Sequence, residues 1–507
     1  MDLDDEYSSA IFVILLVAIL LCLVLRSEKA EPNLKHIPAA GHQNYLLSYI
    51  DAFEFAFRGA LKLKEGFNKY KGSTFRLSLL NHWLVILPKE YSEDLRKASE
   101  EDVCFANMAN QFDPSLDPIG HYEAAAYRNI HQLARYVNQN IAFLIFDLKE
   151  EIEFSFENAP VDGFADIGWQ ETDGVRLAIQ LTTQVVNRLF VGLPFARHDE
   201  LKRVSMELTS DIYQPPLMER LLPRKFISIF RVFPSSNRYQ RQMRLLMLSF
   251  VRVRKDVLNT AEHTGKYKDY DLLSWALHQD GPQQIPDEIA FDLVNLTITT
   301  SRMVSMSLAH VLYHLASNPQ YVSPMRMEIE SLVRQGGWSK ESIDRMHKVD
   351  SFVKESMKLK CVYCITTARK CLKPFTFSNG MYLPPGALSA VAVEPRHLGS
   401  TYSSPDVFDG FRYSRLHEQH RVDDSPTTDR MNSQFQLVTT TADDLAWGYG
   451  RHACPGRFFA ATVLKMMLAH VLLRYDVKFE NGVRPKDVVV GMNRLPDPSV
   501  KMLIKKR

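Results

Sequence analysis

The segment Trp447–Phe459 reads W-G-Y-G-R-H-A-C-P-G-R-F-F and is the most informative stretch of this 507-residue sequence. Three glycines and a proline surround the thiol of Cys454, which predicts a tight loop instead of a packing position. The residues from Ala460 onward, A-A-T-V-L-K-M-M-L-A-H-V-L-L, have the apolar content of a helix. Cys454 therefore precedes a helix N-terminus, where backbone N–H groups and the helix dipole favour a thiolate. Two basic residues, Arg451 and His452, come just before it.

A thiolate with basic neighbours is what a haem site can use, because sulfur can bind the iron and cations can bind the propionates. The pattern Trp447-x-x-Gly450-x-x-x-Cys454-x-Gly456 resembles the haem-binding loop of cytochrome P-450 enzymes, with Trp447 in place of the usual Phe. This resemblance implies that haem b is the cofactor and that Cys454 is the axial thiolate. It also implies that His452 binds a propionate and that Trp447, Gly450 and Gly456 shape the loop.

Two further segments extend the resemblance over most of the chain. Glu355-Ser-Met-Lys358 lies upstream on a predicted helix at the place of the family's E-x-x-R motif. The segment Pro405–Arg412 resembles the family's P-x-x-F-x-x-x-R motif. The resemblance implies that Glu355, Lys358 and Arg412 form a buried charge cluster behind the haem. It also places Arg369 where a second cation for the propionates is usual.

Lys358 departs from the family pattern, in which an arginine is expected. Arginine presents a planar fork that can hold a carboxylate through two hydrogen bonds, whereas lysine offers a point charge. We expect this exchange to weaken haem retention or lower stability and to leave the fold unchanged.

A second departure lies in the long helix that crosses the haem in this family. Alignment of residues 296–313 without gaps puts Thr299 and Thr300 at the small-residue position. Arg302 then falls at the acid or polar position and Met303 at the family's threonine. That threonine normally organises water for proton delivery, which Met303 cannot do because it has no hydroxyl. Shifting the alignment with the family pattern by four residues would put Thr299 at the threonine position, but the residues downstream would then no longer match the pattern. We expect these four residues to form the catalytic helix, although Arg302 could instead point outward and Met303 could be core.

Hydrophobic periodicity predicts a mainly α fold with small β-sheets, and the resemblance implies the cytochrome P-450 fold. The helical stretches are 129–153, 174–193, 287–315, 347–360 and 457–475. The predicted strands are 74–79, 82–87, 375–383 with Asn379-Gly380 as a hairpin turn, 488–490 and 500–504. Polar residues 415–435 are typical of a surface loop. The length alone would allow about three domains, but these segments form one haem-centred unit.

The N-terminal block predicts a membrane anchor. Residues 10–25 carry no charge, and with the three residues before them they reach about 28 Å as a helix, close to the thickness of a bilayer's hydrocarbon core. The acidic start argues against the alternative of a signal peptide, and a buried core helix is the remaining alternative. Basic residues after the block place the later chain in the cytosol. We therefore expect an anchor at 1–26, a linker at 27–42 and a catalytic domain at 43–507, on the endoplasmic reticulum membrane with a single span.

Composition excludes several other classes. Lys and Arg exceed Asp and Glu by only 61 to 59, so bulk charge gives no support for nucleic-acid binding. Six cysteines in 507 residues do not form a disulfide scaffold. Cys361-x-x-Cys364 has the spacing of metal ligands, but a second such pair is missing and zinc is not expected there.

These features predict a haem-thiolate monooxygenase that uses dioxygen and electrons from an NADPH-dependent cytochrome P-450 reductase. Residues 186–197 and 147–154 resemble fungal microsomal members, above all those acting on terpenoids and related secondary metabolites. The substrate should be hydrophobic, and positions 105–112, 206–213 and those after Arg369 are candidates for its pocket. Two alternatives stay open: a haem-thiolate enzyme that catalyses a rearrangement or dehydration, and a non-catalytic haem-binding accessory protein.

The sequence also suggests where the reductase would dock. Arg451, Arg457 and Lys465 supply positive charge on the side of the cysteine loop, and positive charge there would attract an acidic partner. Exposed basic residues can also be an ordinary solvated face.

Overall fold

The structure is a computed structural model that describes residues 32–44, 47–79, 82–105, 124–158, 168–213, 235–261, 270–278, 285–393, 404–420 and 434–507. Side chains are described for all of these except residues 124–130, 235–237 and 261. The helices are α1 (Ser48–Tyr70), α2 (Ser92–Lys97), α3 (Ala124–Glu157), α4 (Gly174–Val191), α5 (Asp199–Ser210), α6 (Ser235–Ala261), α7 (Leu272–His278), α8 (Pro286–Ser317), α9 (Val322–Gly336), α10 (Lys340–Asp344), α11 (His347–Leu359), α12 (Arg412–Gln419) and α13 (Arg457–Arg474). The strands are β1 (Phe75–Ser78), β2 (Trp83–Leu87), β3 (Val103–Cys104), β4 (Gln170–Asp173), β5 (Ile365–Cys371), β6 (Phe375–Thr376), β7 (Tyr382–Leu383), β8 (Leu388–Ala392), β9 (Tyr475–Lys478), β10 (Val488–Val490), β11 (Asn493–Leu495) and β12 (Lys501–Lys506).

Helix α8 forms the centre of the helical body. It begins with Pro286 in its first turn, followed by Asp287 and Glu288, which is a favourable start because proline needs no hydrogen bond there and acids complement the dipole. Its apolar residues pack against helices α3 to α7, α11 and α13. Most of its side chains from Ser301 to Ala316 are buried, so the helix is surrounded on nearly all sides.

Small sheets flank the helical body. The largest has the strand order β1-β2-β8-β5-β3, with β2 and β8 parallel and the other pairs antiparallel. A three-stranded sheet has the order β4-β12-β9, and β6-β7 and β10-β11 are two-stranded. Strand β5 is interrupted between Thr366 and Arg369, where Thr367 has a φ of +51°. This irregularity matters because Arg369 belongs to the site described below.

The structure confirms a mainly α fold with small sheets. Each predicted helix is present as α3, α4, α8, α11 or α13, and each predicted strand as β1, β2, β6 with β7, β10 or β12. In the predicted hairpin Gly380 adopts a φ of +87° and its N–H donates to the carbonyl of Phe377. The prediction of a loop at 415–435 is wrong for its first residues, because α12 extends to Gln419 and buries Tyr413 and Ser414 of its first turn. Residues 421–433 of that segment lie outside the described residues.

The second half of the expected linker is packed against the body. Leu34 and Ile37 are buried in an apolar cluster with β2 and β8 residues. The backbone of Pro38 and Ala40 pairs with Arg76 on β1. The packed body therefore begins before residue 43.

The predicted membrane anchor, residues 1–26, lies outside the described residues. Among the helices that the structure describes, none combines the length and the apolar content needed to cross a bilayer.

Candidate functional site at Cys454

The loop Trp447–Gly456 folds back on itself before α13. The N–H of Cys454 donates to the carbonyl of Trp447 at 2.7 Å, and the indole N–H of Trp447 donates to the carbonyl of Leu437 at 2.8 Å. Gly450 has a φ of +75°, and a Cβ there would lie 2.5 Å from Cγ of Arg96 on α2. The glycine is required at this position by both backbone conformation and close approach. The loop thus presents Cys454 three residues before Arg457, the first residue of α13, as the sequence predicts.

The electrostatic surroundings of Cys454 keep it a thiol when no metal is bound. Burial raises the pKa of Cys454, and the N–H of Gly456 and the charge of Arg457 oppose this rise only in part. The helix N-terminus therefore acts in the expected direction, but burial outweighs it. A metal ion that takes the sulfur as a ligand would remove the proton outright.

The protein side chains around Cys454 suit a cofactor that itself supplies most of the ligands of its iron. In the described part of the chain, His, Cys, Asp and Glu side chains do not form a group of three that could hold a metal ion. An iron bound to Cys454 would therefore not find a full set of protein ligands among the described residues, and its remaining ligands would come from a porphyrin. This is the arrangement that a haem requires.

Two basic side chains converge beside the cysteine loop. Arg369 of β5 is 2% exposed, and its guanidinium lies 5.6 Å from the ring centroid of Phe105. The same ring stacks on His452 at 5.2 Å, and His452 pairs with Glu100. Burial and the charge of Arg369 lower the pKa of His452, while Glu100 raises it. The pair of basic residues faces one carboxylate, so the site has the chemistry to bind the acidic propionates of a haem.

Thr299, Thr300 and Met303 lie on a side of α8 that protein side chains do not fully cover. These three residues and Leu296 are half-buried, whereas Thr297, Ile298, Ser301, Arg302 and Val304 are buried. The spacing of three and four residues puts the half-buried set on one face of the helix. Since Thr299 and Met303 share this face, the two sequence registers are compatible with the same geometry. A ligand can reach this face, and it offers two hydroxyls and a thioether.

Arg302 does not share this face. It lies about 100° around the helix from Met303. Its side chain is 8% exposed, and its Nε and Nη2 donate to the carbonyl of Leu208 on α5 at 3.0 and 2.8 Å. The interpretation of Arg302 as an outward-pointing side chain is therefore wrong. The guanidinium is directed toward the last turn of α5, away from the half-buried face.

The structure brings Glu355, Lys358 and Arg412 together. Nε of Arg412 donates to both oxygens of Glu355 at 3.1 Å, and Nζ of Lys358 lies 3.9 Å from the same carboxylate. Burial raises the pKa of Glu355 against the opposing charges of Lys358 and Arg412. Burial also lowers the pKa of Lys358. Arg412 therefore supplies the planar guanidinium that hydrogen-bonds to Glu355, and Lys358 contributes a more distant charge.

Sequence analysis missed polar residues of α3 that face the cysteine loop. Nδ2 of Asn138 donates to the carbonyl of Pro455 at 2.9 Å. His131 and Arg135 precede Asn138 by seven and three residues, so all three lie on one side of α3. Burial and the charge of Arg135 lower the pKa of His131. The signal that could have revealed them is a pair of basic residues at i and i+4 on α3, just upstream of Asn138.

One part of the expected reductase surface is contradicted. Lys465 is 4% exposed and pairs with Asp350 of α11 at 3.0 Å, so it presents no charge to a partner. Arg457 is half-buried, and its guanidinium donates to the carbonyls of Val438 and Cys454. Arg451 is exposed and remains available at the surface.

Comparison with known proteins identifies similar chains along nearly the full length. A family model described as Cytochrome P450 matches residues 126–504. Cytochrome P450 monooxygenase 151 of Postia placenta is 31% identical over 482 residues, which cover 94% of each chain. Ent-kaurene oxidase P450-4 of Gibberella fujikuroi is 27% identical, covering 93% of this chain and 92% of the relative. Cytochrome P450 monooxygenase olcJ of Penicillium canescens is 28% identical, covering 90% of this chain and 86% of the relative.

Proposed function

This chain belongs to the cytochrome P450 family, whose members bind haem iron through a cysteine thiolate, and we propose that Cys454 is that ligand here. The protein is a haem monooxygenase, an oxidoreductase similar to fungal members of the family. The observation that carries the assignment of Cys454 is a thiol held just before α13 beside two converging basic side chains, Arg369 and His452. When bound, a haem with a thiolate ligand supplies the oxidising chemistry by which an oxygen atom of dioxygen enters a substrate.

The chain's own residues would hold the cofactor from several directions. Arg369 and His452 would bind its propionates, since both side chains lie against Phe105 beside the loop. The N–H of Gly456 and the charge of Arg457 would stabilise the anionic sulfur. The turn formed by Trp447, Gly450 and Gly456 would fix the direction of that sulfur. Glu355, Lys358 and Arg412 would act from a distance by locking the helices behind it.

Proton delivery would depend on the half-buried face of α8. Thr299 and Thr300 carry the hydroxyls on that face and could order water. Met303 offers no hydroxyl, so it would shape the pocket and not move protons. The loss of a hydroxyl at this position is the feature that a rearranging enzyme would also show, but the relatives named above are called monooxygenases and oxidases.

We propose a hydrophobic substrate, a terpenoid or other secondary metabolite. Support comes from relatives named ent-kaurene oxidase, which align over 93% of this chain. Of the expected pocket residues, Phe105 lies against Arg369 and His452. Tyr213 donates to the carbonyl of Pro496. Positions 106–112 lie outside the described residues. A panel of cyclic terpenes should include at least one that shifts the haem spin state and is oxidised with matched use of NADPH and dioxygen.

Electrons would come one at a time from an NADPH-dependent reductase that docks on the side of the cysteine loop. Arg451 and Arg135 are exposed near this side, and they would attract an acidic partner. Charge reversal by Arg451→Glu should slow reduction by the reductase and reduce its salt dependence. Equal reduction rates for the variant and the natural chain would exclude this docking site.

Membrane attachment through residues 1–26, with a linker from residue 27 that joins the packed body before residue 43 and a cytosolic catalytic domain, is the remaining part of the proposal. Its support is the uncharged stretch 10–25, flanked by acidic residues before and basic residues after. In a fungal host, the full chain should sediment with endoplasmic reticulum membranes and be digested by external protease. Release into the supernatant of a variant lacking residues 1–26 would support the anchor, and unchanged sedimentation would exclude it as the sole attachment.

The assignment of Cys454 has a direct test. Reduced protein under carbon monoxide should show the long-wavelength Soret band of thiolate ligation, and Cys454→Ser should remove it. The matched control is Cys104→Ser, a half-exposed cysteine outside the loop, which should keep the band. Loss of the band in the control alone, or its survival in Cys454→Ser, would assign the ligand elsewhere. Product formation without NADPH and dioxygen would overturn the monooxygenase activity itself.

A further inference from the structure

The chain just before the cysteine loop is held mainly by side chains that come from other elements. Residues 434–438, which we call the strap, contain neither helix nor strand. The carbonyl of Leu437 accepts from Trp447, and the carbonyl of Val438 accepts from Arg457. Trp447 and Arg457 lie on the two sides of Cys454 in sequence. A displacement of the strap would therefore disturb the cysteine loop on both sides.

Helix α11 holds the strap from its other side. The carboxylate of Asp350 accepts from the N–H of Leu437 at 2.7 Å. One turn later on α11, Nζ of Lys354 donates to the carbonyls of Gln434 and Gln436 at 3.3 and 2.8 Å. Because Asp350 and Lys354 are four residues apart, they lie on the same face of α11. The strap is thus bound at three of its five residues by this one helix.

The same ammonium group also binds the chain closer to the cysteine. Nζ of Lys354 lies 2.9 Å from Oδ2 of Asp444, three residues before Trp447. The third contact completes the capacity of an ammonium, which has three protons to donate. A buried charge is tolerated only when it is paired and hydrogen-bonded in this way, and Lys354 is 3% exposed. Its Nζ also lies 4.8 Å from the ring centroid of Tyr413, which favours the cation further.

Lys358, which the family pattern singles out, is placed differently. It lies one turn further along α11, and its ion pair with Glu355 spans 3.9 Å. Glu355 is already bound by Arg412 through two hydrogen bonds. Lys358 therefore adds to a cluster that holds α11 to the segment 404–412 and also feels the charge of Asp444. Lys354 instead bonds directly to the strap and to Asp444.

We propose that Lys354 is a positioning residue for Cys454, and that it fixes the strap and Asp444 so that Trp447 and Arg457 hold the cysteine loop in place. This inference rests on the proposed role of Cys454 as the haem ligand. It assigns to Lys354 the part that an arginine at position 358 would be expected to play. Lys354 acts through the backbone of the strap and does not touch the cofactor.

The test compares Lys354→Met with Lys358→Met in the full-length haem protein. Both changes remove a buried ammonium from the same helix and keep the length of the side chain. We expect Lys354→Met to lose haem to an acceptor protein about tenfold faster than Lys358→Met does. We also expect it to convert part of the carbon monoxide complex from the thiolate band to the short-wavelength band, and to raise hydrogen exchange in peptides covering 434–446. Equal rates of haem loss for the two variants would overturn the proposal.

A double variant separates positioning from general destabilisation. Lys354→Met takes the direct ion-pair partner from the buried carboxylate of Asp444, whereas Lys354→Met with Asp444→Leu replaces the whole ion pair by apolar groups, which is often neutral for stability. The double variant should regain the unfolding temperature of the apoprotein and still lose haem fast, because the carbonyls of residues 434 and 436 remain unbound. Recovery of normal haem retention together with stability would show that Lys354 has only a structural role. If the natural chain itself lacks the thiolate band, Cys454 is not the haem ligand and the proposed function fails. If the natural chain has the band but the two single variants lose haem at equal rates, only the role of Lys354 fails.

Discussion

The guanidinium of Arg302 donates two hydrogen bonds to a single carbonyl oxygen, that of Leu208, at 3.0 and 2.8 Å. Leu208 lies in the last turn of α5, where a positive charge is favoured by the helix dipole and by carbonyls that lack partners within the helix. Arg302 also lowers the pKa of nearby Asp211, which burial raises. A residue at an expected catalytic position therefore serves to tie α5 to α8, and its charge is directed away from the half-buried face of α8.

Replacing Arg302 should weaken this tie. Arg302→Met leaves the carbonyl of Leu208 without its donor, and we expect the free energy of unfolding to fall by about 1–3 kcal/mol. Urea unfolding measures the change, and hydrogen exchange at 205–213 should increase. The matched control is Arg203→Met on α5, whose guanidinium binds Glu200 at the surface, and it should change stability much less. Similar losses for the two variants would contradict a specific role of Arg302.

Met303 provides a test of the gap-free register. It is half-buried on the same face of α8 as Thr299 and Thr300. Met303→Thr adds a hydroxyl at the position where the family uses one, so the fraction of NADPH converted into product should rise about twofold or more. A positioned proton donor can raise the rate of a reaction by about 10²–10⁴-fold, and the expected gain in coupling is a small part of that.

Leu296→Thr is the control for Met303→Thr. It adds a hydroxyl two turns away on the same half-buried face, and coupling should not improve. If both substitutions improve coupling equally, general polarity of the pocket and not the register is responsible. If Met303→Thr has no effect, the shifted register with Thr299 in the threonine position is favoured.

The two glycines of the cysteine-loop motif should respond differently to alanine. Gly450 has a φ of +75°, and an added Cβ would lie 2.5 Å from Cγ of Arg96. At Gly456 the φ is −86°, which any residue adopts, and no described protein atom lies within 4 Å of an added Cβ. Gly450→Ala should therefore reduce haem content strongly, and Gly456→Ala should reduce it less, because it strains neither the backbone nor a protein contact. Haem content per polypeptide, measured after purification, decides between these outcomes, and retention in both variants would contradict the steric argument.

Local features of the sequence were sufficient to predict five of the described helices, one hairpin and the cysteine loop. Gly450, Gly456 and Cys454 occupy a short segment, so their geometry follows from turn chemistry and the helix that begins after them. The half-buried face of α8 also follows from helical periodicity once Thr299 and Met303 are aligned. These inferences need no knowledge of distant contacts.

Contacts between distant segments could not be predicted. Lys465 lies in an apolar helix, and its partner Asp350 is 115 residues away, so sequence analysis wrongly placed its charge at the surface. The direction of Arg302 depends on a backbone carbonyl of α5, which has no signature in the sequence. Lys354 escaped notice for the same reason, since two of its three partners are carbonyls of the strap. Side-chain bonds to backbone groups are independent of the partner's residue type, which is why pattern reasoning misses them.

Buried histidines should make the fold sensitive to acid. The ring of His470 stacks on Phe156 at 4.5 Å, and burial lowers its pKa to about 4. Burial likewise lowers the pKa of His310 to about 3. In the unfolded chain these imidazoles have a pKa of about 6.5, so between the two values the unfolded state binds protons that the folded state does not. The free energy of unfolding therefore falls as the pH falls below about 6.5, and it is highest above that value.

His470→Phe should remove part of this dependence while keeping an aromatic ring against Phe156 and Tyr475. The loss of unfolding free energy between pH 7 and pH 5 should shrink by about 2 kcal/mol, because one titrating group with 1.36 kcal/mol per pKa unit is removed. Urea unfolding at both pH values measures it. If the free energy of unfolding of His470→Phe changes with pH as steeply as that of the natural chain, His470 accepts its proton within the folded protein.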